Sequence, residues 1–209
     1  MFPATLSVSA QDTLALLGNH NFFKTTYLAG GSCLALQLGH RKSIDFDFFT
    51  SKPFELVEVI TILSGIGKYD GEYETPRTLV GKFNQIKFSL FYYPYELIDK
   101  VVVYQGIDLA GLKDIAAMKL VAITDRGTKK DYVDLYFLAN KCFSIEEMFN
   151  FYDMKYHNFE INKMTLLKSL QYFEDADESE MPVMVEKLDW DKVKEFFEKE
   201  TVKLAKKYL

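Results

Sequence analysis

The hexapeptide Ile44-Asp45-Phe46-Asp47-Phe48-Phe49 alternates carboxylate with aromatic ring, and the period of two fits a strand. Such a strand buries Phe46 and Phe48 on one face and carries Asp45 and Asp47 on the other. Upstream, Thr26-Tyr27-Leu28-Ala29 reads as a compact strand stopped by Gly30-Gly31, where the backbone turns sharply and another group can approach closely. Ser32 then opens a helix over 32–38, with Leu34, Ala35 and Leu38 at helical spacing. The free N–H groups and positive dipole end of that helix suit a phosphate. Two carboxylates about 7 Å apart on one strand face repel by roughly 2 kcal/mol at an effective dielectric of 20. A hard cation relieves that repulsion, and Mg²⁺ takes one or two carboxylates together with phosphate oxygens. Taken singly, Asp-x-Asp also reads as a solvated strand face and Gly-Gly-Ser as an ordinary turn. Their union in one strand–turn–helix–strand unit is what raises the functional reading.

The remainder of the first half mixes short helices with strands. A helix is expected around 9–17, and another from Pro53 to about Leu63, since proline is tolerated in a first turn. Strands are expected at 69–75, 78–83, 86–92 and 101–104. From Gly111 onward the pattern is helical: 112–126, ended by Gly127, then a helix capped by Thr128 and running to Lys141. Further helices are expected near 145–156, 163–173 and 191–207, with an acidic loop around Asp175–Pro182. The chain therefore reads as α+β: residues 1–110 hold a mixed sheet flanked by helices, and residues 111–209 form a C-terminal helical bundle.

Composition bounds the class. With 48% apolar and 15% aromatic residues the chain can bury a sizeable core, and a net charge of −5 argues against a broad duplex-binding surface. No apolar run approaches the length of a membrane span, and the N-terminus lacks a secretory pattern. Cys33 and Cys142 cannot make a disulfide framework, so a reduced, cytoplasmic protein is expected.

Positive charge concentrates in 111–142, where an anionic ligand is expected to meet the chain. Lys119 and Arg126 lie two helical turns apart on one face, and Lys130 and Asp131 sit at the entry to the next helix. Each of these residues alone also reads as helix capping and solvation. A nucleoside triphosphate carries a charge of about −4, so metal held by two Asp leaves net negative charge for Lys119, Arg126 and Lys130 to neutralise. Phosphoryl or nucleotidyl transfer is the chemistry that an acid-lined strand and a cation-lined helix make together.

The run Gly30-Gly31-Ser32-Cys33-Leu34-Ala35-Leu36 followed by His40-Arg41-Lys42-Ser43-Ile44-Asp45-Phe46-Asp47-Phe48-Phe49 resembles the first motif of the AbiEii/AbiGii-type nucleotidyltransferases. Leu112 to Leu120, continuing through Arg126-Gly127-Thr128-Lys129-Lys130-Asp131-Tyr132-Val133-Asp134, resembles that family's downstream motif, and Tyr92-Tyr93-Pro94-Tyr95 lies between them. The resemblance spans roughly 25–140. It implies a polymerase-β-like nucleotidyltransferase fold with a helical domain. It further implies Mg²⁺-dependent transfer of a nucleoside monophosphate from a triphosphate, in some members onto tRNA or other RNA, and a place in a bacterial toxin–antitoxin or abortive-infection system with an antitoxin partner.

Carried over residue by residue, the resemblance has Gly31 and Ser32 grip the triphosphate and Asp45 and Asp47 hold the metal. Lys119 contacts phosphate, Asp131 is the further catalytic acid, and Arg126 and Lys130 are supporting cations. His40 carries no catalytic assignment. One departure stands out: the strand 87–91 offers Ser89 where many nucleotidyltransferases carry a third carboxylate. Asp131 takes that role, or the Asp70/Glu72/Glu74 row does, or catalysis is weakened and the chain is a nucleotide- or RNA-binding protein on the same fold. The Asp70/Glu72/Glu74 row reads first as a wet strand face. A plain interaction subunit, docking a partner through its acidic loop, is the third class.

Overall fold

Alternate burial along Asp45–Thr50 organises the first part of the chain, with Phe46, Phe48 and Thr50 buried and the residues between them partly exposed. The computed structural model describes residues 1–157 and 163–208, and its contacts divide the chain into two units, Met1–Gly111 and Leu112–Leu209. The first unit runs α1 (Val8–Gly18), β1 (Tyr27–Ala29), α2 (Gly30–Leu38), β2 (Asp45–Thr50) and α3 (Leu56–Ile66). It continues with β3 (Tyr69–Thr75), β4 (Thr78–Phe83), β5 (Ile86–Tyr92), β6 (Val102–Tyr104) and β7 (Ile107–Leu109). The seven strands form one mixed sheet in the order β3-β4-β5-β2-β1-β7-β6. Strand β2 is antiparallel to β1 and parallel to β5, while β1 is parallel to β7. Hence β2 is central, and its pleat decides which residues face the core.

On the core face Phe46 and Phe48 join Phe23, Leu28, Phe88 and Leu90, all fully buried. Phe48 lies 5.2 Å from Phe23 and 5.5 Å from Phe88, centroid to centroid. Each such side chain contributes roughly 1.5–3 kcal/mol on burial, so a register slip of one residue would be prohibitive. The α+β class with a mixed sheet and flanking helices is the one the sequence indicates.

The second unit is helical: α4 (Leu112–Asp125), α5 (Lys129–Lys141), α6 (Ile145–Lys155), α7 (Lys163–Ser169), α8 (Glu174–Glu178) and α9 (Trp190–Tyr208). Helix α4 packs against α5, α6 and α7, and α9 packs against α5 and α7. Tyr132 anchors this core, its ring 5.3 Å from Phe173 and 5.4 Å from Phe197, its hydroxyl 2.6 Å from the carbonyls of Ser169 and Tyr172. Phe149, Tyr152 and Tyr156 are buried, in keeping with a packing role. Lys155 Nζ reaches Asp114 Oδ1 at 2.7 Å with both side chains fully buried.

Several boundaries differ from the sequence reading. Helix α3 starts at Leu56 rather than Pro53, because Phe54 turns into the core and Glu55 stays extended as the N-cap. The acidic stretch at 174–178 is a short helix rather than a loop: Glu174, Asp175 and Asp177 lie in its first turn, where the dipole favours them, and Ala176 is buried. Strand β7 is an addition; three residues carry too little periodicity to announce it. Thr128 does occupy the N-cap of α5, but its hydroxyl makes no cap bond to the backbone. It donates instead to Asp131 Oδ2 at 2.7 Å, a charged and therefore stronger acceptor. Among the described residues no helix is long and apolar enough to cross a membrane.

Candidate active site

In the first unit the site is built at the turn between β1 and α2. Gly30 has φ +68°, a conformation glycine adopts without strain, and a Cβ there would stand 2.8 Å from Asp47 Oδ2. A Cβ on Gly31 would stand 2.2 Å from Arg41 Nη2. The two glycines thus let a carboxylate of β2 and a guanidinium close onto the first turn of α2. Ala29 is the register partner of Asp47 across β1 and β2, which places the second acid at the mouth of the turn.

Ser32 is buried, and its hydroxyl faces inward: it donates to the Asp45 carbonyl and lies 2.9 Å from Ser43 Oγ. Arg41 Nη1 donates to the Lys42 carbonyl at 3.0 Å and reaches Ser43 Oγ at 3.4 Å. Ser32, Ser43 and buried Arg41 therefore tie the start of α2 to the start of β2. The serine hydroxyl thus holds the turn in shape and does not point out of it. Sequence reasoning assigned no role to Arg41 or Ser43. The spacing Arg41-x-Ser43-x-Asp45-x-Asp47, continuing the strand's own alternation, is the signal that marks them.

Asp45 and Asp47 lie on the sheet face opposite the Phe46/Phe48 core, both half-buried. Their register partners on β5 are Lys87 and Ser89. Ser89 thus stands beside Asp47, where a third carboxylate was looked for. Asp70, Glu72 and Glu74 lie on β3, three strands from β2 and so about 14 Å away at the usual strand spacing. Asp70 and Glu72 pair there with Lys68 and Lys82, as on a solvated edge. No group of three or more His, Cys, Asp or Glu positioned to hold a metal occurs among the described residues. Two half-buried carboxylates on one strand face are a donor set that suits Mg²⁺, whose remaining positions substrate oxygens and water normally fill.

In the second unit Lys119 on α4 is buried, its Nζ 2.9 Å from Asp131 Oδ1 and 2.6 Å from Asp134 Oδ2. Arg126 adds a bidentate pair to Asp131, Nε to Oδ2 and Nη2 to Oδ1 at 3.0 Å each, while its side chain stays 65% exposed. With the Thr128 hydroxyl, four donors meet the two oxygens of Asp131. Burial alone would raise this carboxyl, but Lys119 and Arg126 outweigh it and hold it well below the usual carboxylate range. Four residues of the segment singled out from the sequence, Lys119, Arg126, Asp131 and Asp134, are thereby brought together. Lys130 is exposed on the first turn of α5 and stands apart from this network.

The fold is shared with nucleotidyltransferase structures. The chain superposes on MenT4, a nucleotidyltransferase toxin of Mycobacterium tuberculosis, with a TM-score of 0.55 at 14% identity, covering 94% of this chain and 86% of that one. It superposes on JHP933 of Helicobacter pylori with a TM-score of 0.54 at 20% identity, covering 97% and 96%. An uncharacterised protein of Aquifex aeolicus (strain VF5) is 40% identical over 207 residues, 96% of this chain and 94% of that protein. Residues 13–205 match the family described as nucleotidyl transferase AbiEii toxin of type IV toxin–antitoxin systems, and the chain belongs to that family of nucleotidyltransferases.

Proposed function

We propose that this nucleotidyltransferase moves a nucleoside monophosphate from a nucleoside triphosphate to an acceptor hydroxyl, with RNA such as tRNA as the acceptor, and acts as the toxin beside a cognate antitoxin in the cytoplasm. The observation that carries the reading is the closure of Asp47 onto the Gly30 turn, which sets a carboxylate against the phosphate-accepting end of α2. The triphosphate tail lies on the N-terminus of α2, with Gly31 leaving room for the Arg41 guanidinium above it. Asp45 and Asp47 are the ligands proposed for Mg²⁺, which when bound supplies charge neutralisation at the α-phosphate and lowers the pKa of a coordinated hydroxyl. The acceptor oxygen attacks the α-phosphorus, the bond to the bridging oxygen breaks, and pyrophosphate leaves. Asp45 and Asp47 are the acids proposed to orient the acceptor hydroxyl and to take up its proton. In the helical unit Arg126 and Lys130 present positive charge to anionic substrate. Lys119, buried and paired with Asp131 and Asp134, is proposed to act through that network rather than on phosphate directly, with Asp131, its oxygens met by donors, fixing Lys119 and Arg126.

A second reading is favoured by one observation, Ser89 in register with Asp47. A site with two carboxylates instead of three binds a triphosphate and transfers poorly, which makes the chain a nucleotide- or RNA-binding protein. Calorimetry with triphosphate and Mg²⁺, run beside a transfer assay on total RNA, separates the two. Binding together with labelled RNA supports transfer; binding with no product at any enzyme concentration supports the second reading.

A further inference from the structure

Lys87 on β5 is the register partner of Asp45, and Lys82 on β4 is in turn the register partner of Lys87. Register partners share a sheet face, so both lysines stand on the face that carries Asp45 and Asp47, and both are exposed. Like charges directly opposite each other on neighbouring strands destabilise a sheet. Lysines often guard an open sheet edge, but β5 is an inner strand, flanked by β4 and β2. Lys82 has a loose partner in Glu72, at 3.9 Å. Lys87 makes no ion pair and no side-chain hydrogen bond among the described residues.

Strand order gives this cation its place in the reaction. Across the face run Lys82 on β4, Lys87 on β5, Asp45 on β2 and then β1, whose end leads into the Gly30 turn and α2. The triphosphate tail proposed for the start of α2 therefore lies on the β1 side of the acids, and the lysines lie on the other side. In phosphoryl transfer the attacking and leaving oxygens stand roughly in line, on opposite sides of the phosphorus. With pyrophosphate leaving toward α2, the acceptor hydroxyl enters from over β5. An RNA strand that delivers this hydroxyl carries its phosphodiester charge past Lys87, and the carboxylates of β2 repel that charge unless a cation stands beside them.

We propose that Lys87, supported by Lys82, holds a backbone phosphate of the acceptor RNA and forms the acceptor-strand subsite of the active site. This rests on the reading of the β2 acids as the transfer site with RNA as acceptor. An ammonium on a flexible stem is a point charge that reads no base, so the subsite supplies affinity and register whatever the RNA sequence.

The test uses the full chain with Mg²⁺ and a fluorescein-labelled single-stranded oligoribonucleotide of about twelve nucleotides, followed by anisotropy. Steady-state transfer from an α-labelled triphosphate into total RNA is measured beside it. Lys87→Glu is expected to weaken RNA binding about tenfold and to raise the KM for RNA by a similar factor, with the triphosphate KM changed less than about twofold. Lys87→Arg is expected to keep RNA binding. Lys87→Ala is expected to lower the slope of log affinity against log salt by about 0.7, the value of one phosphate contact on a single strand. Lys52→Glu makes the same charge change just past the far end of β2 and serves as the control. Equal weakening by Lys52→Glu would overturn the proposal, since the RNA would then sense only net charge. A raised triphosphate KM with RNA binding unchanged would overturn it too, since the donor would then lie over β5. In the unsubstituted protein RNA is expected to shield Lys87 from acetylation by acetic anhydride, read by mass spectrometry, and acetylation at an undiminished rate counts against the subsite whether or not the variants fold. An unsubstituted protein that neither binds the oligoribonucleotide nor labels RNA overturns the RNA-acceptor reading, and the subsite with it. Labelled RNA from a Lys87→Glu variant that matches the unsubstituted protein overturns the subsite alone.

Discussion

Gly31 and Asp131 are two positions where single residues are tightly constrained by a charged neighbour. A methyl group on Gly31 meets Arg41 Nη2 at 2.2 Å, so Gly31→Ala displaces the guanidinium from the first turn of α2. The expected result is a triphosphate KM raised about tenfold or more with the fold retained, read by steady-state kinetics beside a thermal melt. Asp131 tests the buried network. Its carboxyl pKa is depressed in the folded chain, so the stabilisation it contributes is fully present above the unfolded-chain value of about 3.9 and is lost as pH falls from there toward the folded value. Asp131→Asn, which leaves Lys119 and Arg126 without their shared carboxylate, is expected to cost about 3–5 kcal/mol at neutral pH. It should also flatten the stability profile below about pH 4. Urea midpoints across pH 2–7 at roughly unit steps measure both; parallel profiles for the two proteins would contradict the assignment. The strand that carries Asp45 and Asp47 and the turn at the glycines were legible from the sequence because strand alternation and backbone turning are local properties. The inward turn of the Ser32 hydroxyl was not, since it depends on Ser43 and on a carbonyl that the fold brings alongside.

At the level of elements, the tie between α2 and β2 carries the geometry of the turn. Ser32→Ala removes two hydrogen bonds from a buried position. Its expected cost is about 1–3 kcal/mol, with a rise in triphosphate KM that Ser32→Thr partly reverses. Helix α6 carries none of the residues proposed for the chemistry and offers a control. Its capping box pairs Ser144 with Glu147, the Glu147 N–H lying 3.2 Å from Ser144 Oγ, and Ser144→Ala is expected to cost about 1 kcal/mol with transfer unchanged. Strands 69–75, 78–83 and 86–92 were readable to the residue because turn residues separate three runs of six or seven strand-forming positions. Strand β7 was not, since three residues fix no period, yet it supplies the parallel neighbour of β1. Helix α8 was hidden for a different reason: its acids read as solvated loop until Asp177 is seen accepting from the Trp190 indole and pairing with Lys194.

For the whole molecule, family membership and the mixed sheet agree on nucleotidyl transfer, and the acids of β2 are where that chemistry is proposed to occur. The overall class was accessible from sequence because the two motif runs are long and ordered; the identity of the acceptor was not, since no residue pattern in the helical unit reads a base or a hydroxyl. Transfer is expected to stop on chelation of divalent cations and to return on adding Mg²⁺, because two carboxylates without a cation repel both each other and the triphosphate. The most direct test of the account follows label from an α-labelled nucleoside triphosphate into total RNA, with the unsubstituted protein set beside Asp45→Ala and Asp47→Ala. The account predicts labelled RNA from the first and a fall of about a thousandfold or more in both variants, with unchanged circular dichroism. Labelling by either variant at the unsubstituted rate would contradict it.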